Sequence, residues 1–381
     1  MTTMDKNNIQ TAEMSVPCNN LNETLQFFTD KLGFKMESIA PAEKPSLAVI
    51  SGYGIRIRLE PGNNPDPGSI NLLCSEPASV ADGKLKLTAP NGTIVNLIEA
   101  NPSLNIQKVK QTFLLTKMKT SDQWSEGRAG MWYRDLIPDR QGGYVVASHI
   151  RILDGGPVPD YVHYHKILFQ MIYCYKGWAR LVYEDQGEPF VIEAGDCVIQ
   201  PPQIRHQVLE SSAGMEVIEL TCPADHETCV DHEIKLPTSS ADSERLFNGQ
   251  HFIRHVAAKA EWKPWRIAGF EARDIGIASA TDGLAGVRVA HPVGQLQPEF
   301  VSHDADLLFM FLLNGSAELN CDQMDSELLT AGDSFIIPGA LKHSFSECSK
   351  DMEVLEVALP AEFNTAHHPK KIGRASCRER V

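Results

Sequence analysis

The chain has 381 residues, enough for two or three domains of ordinary size. Hydrophobic residues make up 43% and charged residues 22%, a balance typical of a globular protein that excludes a disordered or fibrous one. The net charge of −14 argues against a broad nucleic-acid surface, because phosphate binding requires clustered Lys and Arg.

The pattern of apolar residues and cysteines narrows the class further. No apolar run approaches the roughly 18–20 residues that cross a bilayer, and the first ten residues, MTTMDKNNIQ, are polar. The nine cysteines form no Cys-x-x-Cys pair. We therefore expect reduced thiols and a cytoplasmic protein with no membrane or nucleic-acid partner.

Residues 9–100 are predicted to form a small α+β domain. A strand-like alternation (IQTAEMSVP) precedes a helical run that Asn20 can cap, and further alternating runs predict several strands. Asn91-Gly92, between two strand-like runs, indicates a hairpin turn before the last strand.

In this order of elements, and in the closing run from Pro90-x-Gly92 to Leu97, the block resembles the vicinal-oxygen-chelate (glyoxalase-like) superfamily, whose module is βαβββ. One module is clear, and its partner module is truncated. Metal-binding members place a His on the first strand and a Glu on the last, where this chain has Thr11 and Asn96. The resemblance thus implies the fold of the module without a working metal site.

Two strand-rich blocks follow, each preceded by a linker. Residues 101–130 lose the alternation and end in Gly, which predicts the first linker. Residues 131–236 and 269–362 carry short strand-like runs separated by Gly, Pro and Asp, a pattern typical of a β-sandwich or barrel. The polar stretch between them, 237–268, is predicted as the second linker.

Residues 363–381, which include His367 and His368, are predicted to be a disordered tail. The last ten, 372–381 (IGRASCRERV), resemble the in-frame translation of a common sequencing adapter, and we leave them out of functional reasoning. A genuine basic C-terminal peptide is the alternative interpretation.

The two strand-rich blocks are an internal repeat. Residues of the first reappear in the second at a nearly constant offset, and each step in the offset requires a single deletion. The matched pairs are Arg134/Arg273, Asp135/Asp274, Gly156/Gly294, Gly177/Gly315, Gly195/Gly332, Asp196/Asp333, Pro201/Pro338 and His206/His343. We therefore predict a duplicated barrel.

Three histidines of the first strand-rich block are candidate metal ligands. His163 and His165 are two residues apart, so a strand presents both imidazoles on one face. His206, which follows the stiff Pro201-Pro202 pair, can approach them from a separate hairpin. Together they would form a facial set of nitrogens around a divalent metal, with positions left open for substrate or dioxygen.

These residues resemble the two sequence motifs of the cupin superfamily, G(X)5HXH(X)3–4E(X)6G and G(X)5PXG(X)2H. The matching residues are Gly156, His163, His165 and Gly177 in the first motif and Gly195, Pro201 and His206 in the second. The resemblance implies a mainly β protein with two tandem cupin barrels of the jelly-roll type, a bicupin, behind the glyoxalase-like domain.

The chain departs from the cupin pattern at two informative positions. Gln170 stands where most cupins have a glutamate ligand, and Gln203 stands where the pattern has Gly. A neutral amide can be a weak ligand, or a partner of a bound water or of a His N–H group. The resemblance therefore implies a three-histidine site for one divalent metal, with iron(II) as the first hypothesis and manganese, nickel or zinc as alternatives.

The second barrel is predicted to be degenerate. The repeat offsets place Val301 and His303 at the His-x-His positions, Leu308 at the position of Gln170, and His343 at the last position. Two histidines, His303 and His343, therefore remain. Structural support or a metal-free pocket is the expected role.

Further candidates surround the mouth of the first barrel. Arg205 can clamp a substrate carboxylate, and Tyr161 and Gln200 are further candidate substrate-binding residues. Gln170, Tyr173 and Arg205 are the candidate catalytic residues. A surface arginine beside a hairpin is the alternative interpretation of Arg205.

A zinc site is the alternative use of a second group of residues, Cys222, His226, Cys229 and His232. Their spacing matches no standard zinc motif, and their acidic neighbours are typical of a solvated loop.

We predict a metal-dependent bicupin enzyme that acts on a small organic acid, enol or phenol, with oxidation by dioxygen as the first hypothesis. A non-oxidative lyase, isomerase or hydrolase reaction at the same site stays open, because a fold does not settle function. So does a small-molecule-binding or sensor protein without catalysis. The three retained histidines disfavour a storage or scaffold role. A homodimer is a further expectation, because cupin edges often pair between subunits.

Overall fold

The computed structural model describes residues 10–41, 44–62, 66–120, 123–294 and 299–368. These belong to two compact units, which meet in the sequence between Ser103 and Leu104. Within the described ranges, no helix is both long and apolar enough to span a membrane. The adapter-like residues 372–381 lie outside the described part.

The first unit alternates short strands with short helices. Its described elements are β1 (Met14–Cys18), α1 (Leu21–Gln26), β2 (Lys35–Ala40), β3 (Leu47–Gly52), β4 (Ile55–Pro61), β5 (Ser69–Cys74), α2 (Pro77–Val80), β6 (Lys86–Thr88) and β7 (Ile94–Glu99). The Asn20 side chain accepts a hydrogen bond from the backbone N–H of Glu23 at 3.3 Å, which confirms the predicted helix cap. Helix α1 continues into a π-helical turn, Phe27–Lys31.

The strands of the first unit form two sheets. Elements β1 to β4 have the expected βαβββ order, and their sheet runs β1-β4-β3-β2. The predicted closing strand, β7, lies outside this sheet: it pairs parallel with β5 and antiparallel with β6. The Asn91-Gly92 turn joins β6 to β7, as predicted, with φ +93° at Gly92. The glyoxalase-like likeness of this unit stays a prediction.

The strands of the second unit up to residue 255 come first. They are β8 (Leu114–Thr116), β9 (Ser125–Glu126), β10 (Trp132–Asp135), β11 (Val146–Ile152), β12 (Gly156–Pro157), β13 (His163–His165), β14 (Phe169–Lys176), β15 (Trp178–Tyr183), β16 (Phe190–Glu193), β17 (Cys197–Ile199), β18 (His206–Ser211), β19 (Met215–Cys222), β20 (Thr228–Val230), β21 (Leu246–Phe247), β22 (Gln250–His251) and β23 (Arg254–His255). All belong to the first barrel except β8, which joins a sheet of the second barrel, and β21 and β22, which pair with each other. Short 3₁₀ turns lie at Arg128–Gly130, Arg140–Gly142 and Ala257–Lys259.

The elements of the second barrel follow. They are β24 (Lys263–Pro264), β25 (Phe270–Asp274), α3 (Ile277–Ala280), β26 (Gly286–Pro292), β27 (Phe300–His303), β28 (Leu307–Asn314), β29 (Ser316–Cys321), β30 (Glu327–Thr330), β31 (Ser334–Ile336), β32 (His343–Ser346), β33 (Glu353–Leu359) and β34 (Thr365–His368).

The sheet orders confirm the predicted duplication. The first barrel has the sheets β23-β17-β14-β19-β11-β10-β9 and β16-β15-β18-β13-β20. The second barrel has β8-β31-β28-β33-β26-β25-β24 and β30-β29-β32-β27-β34. The two pairs of sheets correspond strand by strand, so the two barrels share one topology, and the protein is mainly β with two tandem jelly-roll-type barrels.

Short strands correct the predicted linkers and tail: β8 and β9 lie in the first linker, β21 to β24 in the second, and β34 in the tail. In the predicted linker 101–130, β8 pairs with β31 of the second barrel, and in the predicted linker 237–268, β23 pairs with β17 of the first. The predicted disordered tail contributes Thr365–His368 as β34, which pairs with β27. Backbone pairing with a distant strand orders these segments, although their own sequences show no alternation.

The core between the barrels is built from one face of each long sheet. Along β14, Phe169, Met171 and Tyr173 enter this shared core with residues of β28 and β33, whereas Cys174 packs inside the first barrel. Side chains alternate along a strand, so Gln170 also faces the interior of the first barrel.

Two buried arginines tie the barrels together reciprocally. Arg134 of the first barrel donates to the Gly332 carbonyl of the second at 2.6 Å, and Arg273 of the second donates to the Gly195 carbonyl of the first at 3.1 Å. These four residues form two matched pairs of the sequence repeat. The same arginine-to-carbonyl contact therefore occurs twice, once in each direction across the interface.

Candidate metal centre

The three predicted histidines meet inside the first barrel. His163 and His165 share one face of β13, and the backbone of His163 pairs directly with His206, the first residue of β18. One ring nitrogen from each histidine lies within 4.8 Å of the others, and the three residues are 0%, 8% and 3% exposed. In the described part of the chain, no other group of three His, Cys, Asp or Glu residues converges in this way.

Hydrogen bonds fix the orientation of each imidazole ring. Nδ1 of His163 lies 2.8 Å from the Tyr161 carbonyl, and Nδ1 of His206 lies 3.0 Å from the Ile204 carbonyl. A carbonyl only accepts, so these Nδ1 atoms carry the hydrogen and leave Nε2 with a free lone pair. Nδ1 of His165 is held by the Thr228 hydroxyl at 3.0 Å. Such partners orient metal-binding histidines in proteins generally.

The three rings have the charge state that a metal requires. Burial lowers the pKa of His163, His165 and His206, and the proximity of the rings to one another lowers it further for His165 and His206. The pKa of His165 falls to about 2. Neutral imidazoles with convergent nitrogens fit a divalent transition metal.

Arg128 is the cation of this site, and no sequence motif selects it individually. Its NH2 group lies 2.6 Å from Nε2 of His163, and its NH1 group pairs with Asp160, whose side chain is fully buried. A metal bound at His163 Nε2 requires the guanidinium to turn away from that nitrogen. Arg128 reaches the site from a 3₁₀ turn inside the predicted linker.

A small cavity of about 60 Å³ adjoins the histidines. Its walls are mostly apolar, with Met131, Ile150, Ile152, Ile172, Leu181, Ile192, Val208, Met215 and Val217 among the lining residues. His165, His206, Arg128, Gln200 and Glu219 supply the polar part. This volume holds a few water molecules or a ligand of few heavy atoms.

Glu219 is a second residue that the sequence motifs did not reveal. It extends from β19 into the cavity, and burial raises the pKa of its carboxyl group, while Arg128 acts in the opposite direction. Gln170, on the neighbouring strand, contacts this carboxyl group and also favours its charged form. The amide atoms of Gln170 are buried and make no hydrogen bond of normal geometry. Gln170 therefore lies beside Glu219.

Two further predicted residues lie near the histidines. Gln200 lines the cavity and donates a hydrogen bond to the Tyr183 hydroxyl at 2.9 Å. Tyr161 contributes its backbone carbonyl to His163, whereas the residue is 41% exposed and its ring centre lies 6.1 Å from that of His163.

Two other predicted residues are not brought to the site. Tyr173 lies in the core between the barrels, where its hydroxyl accepts a hydrogen bond from Arg273 at 3.1 Å. Arg205 pairs with Asp231 at 3.1 Å, and its guanidinium lies 4.1 Å from the centre of the Tyr164 ring. Both side chains therefore have structural partners away from the cavity.

The alternative zinc residues do not form a site. Cys222 is buried in the core between the barrels, and His226 donates through Nδ1 to the Pro223 carbonyl at 3.1 Å. The His226 ring lies 5.8 Å from that of His165, so it packs beside the three-histidine group without joining it.

The second barrel keeps the two predicted histidines and lacks the third. Val301 is buried in its core, and the ring centres of His303 and His343 are 6.3 Å apart. Asp304, the acidic neighbour of His303, accepts hydrogen bonds from Asn364 at the surface and supplies no third ligand. Leu308 fills the position of Gln170 with an apolar side chain.

Comparison with known proteins identifies the fold. No family model and no curated protein sequence matches the chain. Among solved structures, an oxalate decarboxylase from Lactobacillus farciminis in a formate complex aligns with a TM-score of 0.51 and 13% identity, over 67% of this chain and 88% of that one. A salicylate 1,2-dioxygenase mutant from Pseudoaminobacter salicylatoxidans, in complex with gentisate, aligns with a TM-score of 0.51 and 12% identity, over 69% and 87%.

The two barrels share the fold of these two neighbours. At 12–13% identity the comparison shows the fold alone. The chain therefore has a bicupin fold with a three-histidine group in its first barrel.

Proposed function

We propose that the protein is a metal-dependent bicupin enzyme that oxidises a small organic acid with dioxygen in its first barrel. The observation that carries the proposal is the convergence of three buried, neutral histidines beside a cavity, each oriented by a hydrogen bond at Nδ1. His163, His165 and His206 would hold the metal, with iron(II) as the first choice and manganese, nickel or zinc as alternatives.

The donor set favours a strongly Lewis-acidic metal. All three ligands are neutral, and an amide replaces the usual glutamate at position 170. The metal ion would therefore keep its full positive charge. When bound, it would supply open coordination positions for substrate and dioxygen and would polarise the substrate oxygens.

Arg128 favours an acid as the substrate. Its guanidinium lies beside the histidines, so an anionic group that enters the cavity meets a positive charge. The buried Asp160 pairs with NH1 of that guanidinium and keeps the arginine near the cavity. The names of the neighbours agree with this class, since oxalate and salicylate are both acids.

Two further features of the cavity suit the reaction. The apolar walls exclude water, which strengthens the electrostatic interactions inside. Glu219 faces the same cavity with a pKa raised by burial, so it is placed to accept a proton from an acidic hydroxyl group of the substrate.

For the test, the protein is loaded with iron(II) under anaerobic conditions. Oxygen uptake is then measured in oxygenated buffer with a panel of small hydroxy, keto and phenolic acids. We expect uptake with at least one acid, and its loss in His206→Ala. His226→Ala is the matched control, because this residue packs beside the group without belonging to it. If no acid supports uptake by fully loaded protein, the dioxygenase proposal fails.

A metal-free small-molecule-binding protein is the second candidate. The contact between Arg128 and Nε2 of His163 favours it, because the guanidinium lies where a metal would approach that nitrogen. Under this alternative, an acid binds to chelator-treated protein as tightly as to metal-loaded protein, and His206→Ala leaves the binding of the acid intact.

A further inference from the structure

The two barrels share more polar residues than the cupin motifs contain. Four residues around the site of the first barrel recur in the second at the repeat offset, whereas Val301 replaces His163 and Leu308 replaces Gln170. The recurring pairs are Arg128/Arg266, His165/His303, His206/His343 and Glu219/Glu356. A metal-ligand position is therefore lost in the second barrel, whereas an arginine, a glutamate and two histidines are kept.

In the second barrel the arginine and the glutamate pair directly. Arg266 NH2 binds the Glu356 carboxylate, whose side chain is fully buried, and the Arg266 side chain is 15% exposed. Glu356 lies on β33 between residues of the shared core, so alternation directs it into the second barrel. The pair carries no net charge.

Six buried atoms of this cluster have no hydrogen-bond partner among the described residues. Three belong to groups that donate: Nε and NH1 of Arg266 and Nε1 of Trp265. The other three are Oε1 of Glu356, Nδ1 of His303 and Nε2 of His343. Buried polar atoms in folded proteins nearly always have partners, so a group outside the chain is expected to satisfy them.

The hydrogen bonds of the two histidines show that their free nitrogens accept. Nδ1 of His343 donates to the Leu341 carbonyl at 3.2 Å, and Nε2 of His303 donates to the Ile337 carbonyl at 2.9 Å. Burial lowers the pKa of His343 to about 3, and it also lowers that of His303. Both rings are therefore neutral, and the cluster offers donors and acceptors without net charge.

A surface groove reaches the outer part of this cluster, at Trp265 and Arg266. The groove, of about 920 Å³, is lined by Trp265, Arg266 and Phe363 among others. The guanidinium carbon of Arg266 lies 4.6 Å from the ring centre of Trp265 and 5.3 Å from that of Phe363. Arg266 thus lies between the groove and the interior of the barrel, flanked by two aromatic rings.

We propose that the second barrel binds a small uncharged polyhydroxyl molecule, a polyol or a monosaccharide, without a metal. Hydroxyl groups both donate and accept, so they match a cluster that has unpartnered atoms of both kinds and no net charge. Trp265 and Phe363 line the groove and offer apolar ring surface to the C–H groups of such a molecule. A carboxylate would add an uncompensated negative charge beside Glu356.

The test uses the full chain, treated with a chelator and labelled with 5-fluorotryptophan. The ¹⁹F signal of Trp265 is assigned with Trp265→Phe and then followed during titration with glycerol, erythritol, glucose, lactate or sodium chloride. We expect a saturable shift with at least one polyol or sugar and none with lactate or sodium chloride.

Two variants assign the binding to the cluster. His343→Phe removes one acceptor without creating a buried charge, and Arg266→Met combined with Glu356→Gln removes both charges together. Each is expected to weaken binding about tenfold or more. His206→Phe, the equivalent change in the first barrel, is the matched control and should leave the shift unchanged.

Three results would overturn the proposal. The first is the absence of a saturable shift with any polyol or sugar, which would mean that water molecules satisfy the cluster. The second is a shift with lactate alone, which would mean that the ligand is an anion. The third is a polyol-induced shift that His343→Phe leaves unchanged. Because the protein carries no metal here, none of these results depends on the reaction of the first barrel.

Discussion

The metal centre depends on individual residues that balance charge. Three neutral imidazoles would hold the ion, and Arg128 brings a positive charge to within 2.6 Å of one of them. Asp160 neutralises part of that charge, and Glu219 lies on another wall of the same site. In the second barrel, Arg266 pairs with Glu356. Their counterparts in the first barrel are Arg128 and Glu219. A similar pairing would therefore take the Arg128 guanidinium away from His163 when a metal binds.

We predict that Arg128→Met strengthens metal binding. The substitution removes a cation that contacts a ligand nitrogen and repels the ion, so affinity should rise about tenfold or more. Competition between the metal-free protein and a chromophoric chelator for zinc or cobalt measures this. Arg205→Met is the control, because Arg205 pairs with Asp231 away from the cavity. Unchanged or weaker affinity in Arg128→Met would contradict the assigned role.

The buried histidines predict how stability depends on pH. The pKa values of His163, His165 and His206 are lower in the folded protein than the ordinary value near 6.5, so the unfolded chain binds more protons below that pH. Their contribution to the free energy of unfolding is complete above pH 6.5. It is lost as the pH falls below that value, by up to about 1.4 kcal/mol per histidine and pH unit.

Urea unfolding of the metal-free protein between pH 7.5 and 5 measures this dependence. The free energy of unfolding should fall with pH in the wild type and fall less steeply in His206→Phe. Equal slopes in the two proteins would show that His206 titrates normally in the folded state.

At the scale of elements, the alternation of side chains predicted most strands, and repeated Gly, Pro and Asp residues predicted the turns between them. Several short strands in the predicted linkers and tail escaped prediction, and distant partners order three of them, β8, β23 and β34. One glycine of the repeat, Gly195, is required for a reason that the sequence alone does not show. Gly195 has φ +97°, and a Cβ there would lie 3.0 Å from Ala257 and 3.4 Å from Arg273, the arginine that crosses from the other barrel.

The same reasoning explains which site residues were predictable. The three histidines share a strand face and a known spacing, which local sequence displays. Arg128 lies on a turn in a predicted linker, and Glu219 lies on a strand of another hairpin, so only the folded chain brings them to the cavity. One sequence signal would have revealed them: both recur at the repeat offset, as Arg266 and Glu356.

At the scale of the whole molecule, the two barrels form one unit through a shared apolar core and reciprocal arginines. Arg134 is 1% exposed and donates across the interface, while it also contacts His149 at 3.1 Å. Buried polar contacts as well as apolar packing therefore hold the two barrels together.

We predict that Arg134→Met destabilises the barrels together, by about 2–4 kcal/mol, because it leaves the buried Gly332 carbonyl without this donor. Denaturant unfolding, followed by tryptophan fluorescence and circular dichroism, measures the change. Arg180→Met, which removes a half-exposed ion pair with Glu210, should cost under about 1 kcal/mol. Loss of one barrel without the other in Arg134→Met would contradict the coupling.

The most direct test of the metal centre is elemental analysis of protein expressed without a histidine tag and purified without added metal. The account predicts close to one iron per chain in the wild type and in His226→Ala, and a loss of that iron in His163→Ala. One zinc, nickel or manganese per chain with the same dependence would keep the site and point to another choice of metal. No metal in the wild type, even after incubation with iron(II), would contradict the account and leave the three histidines as packing residues.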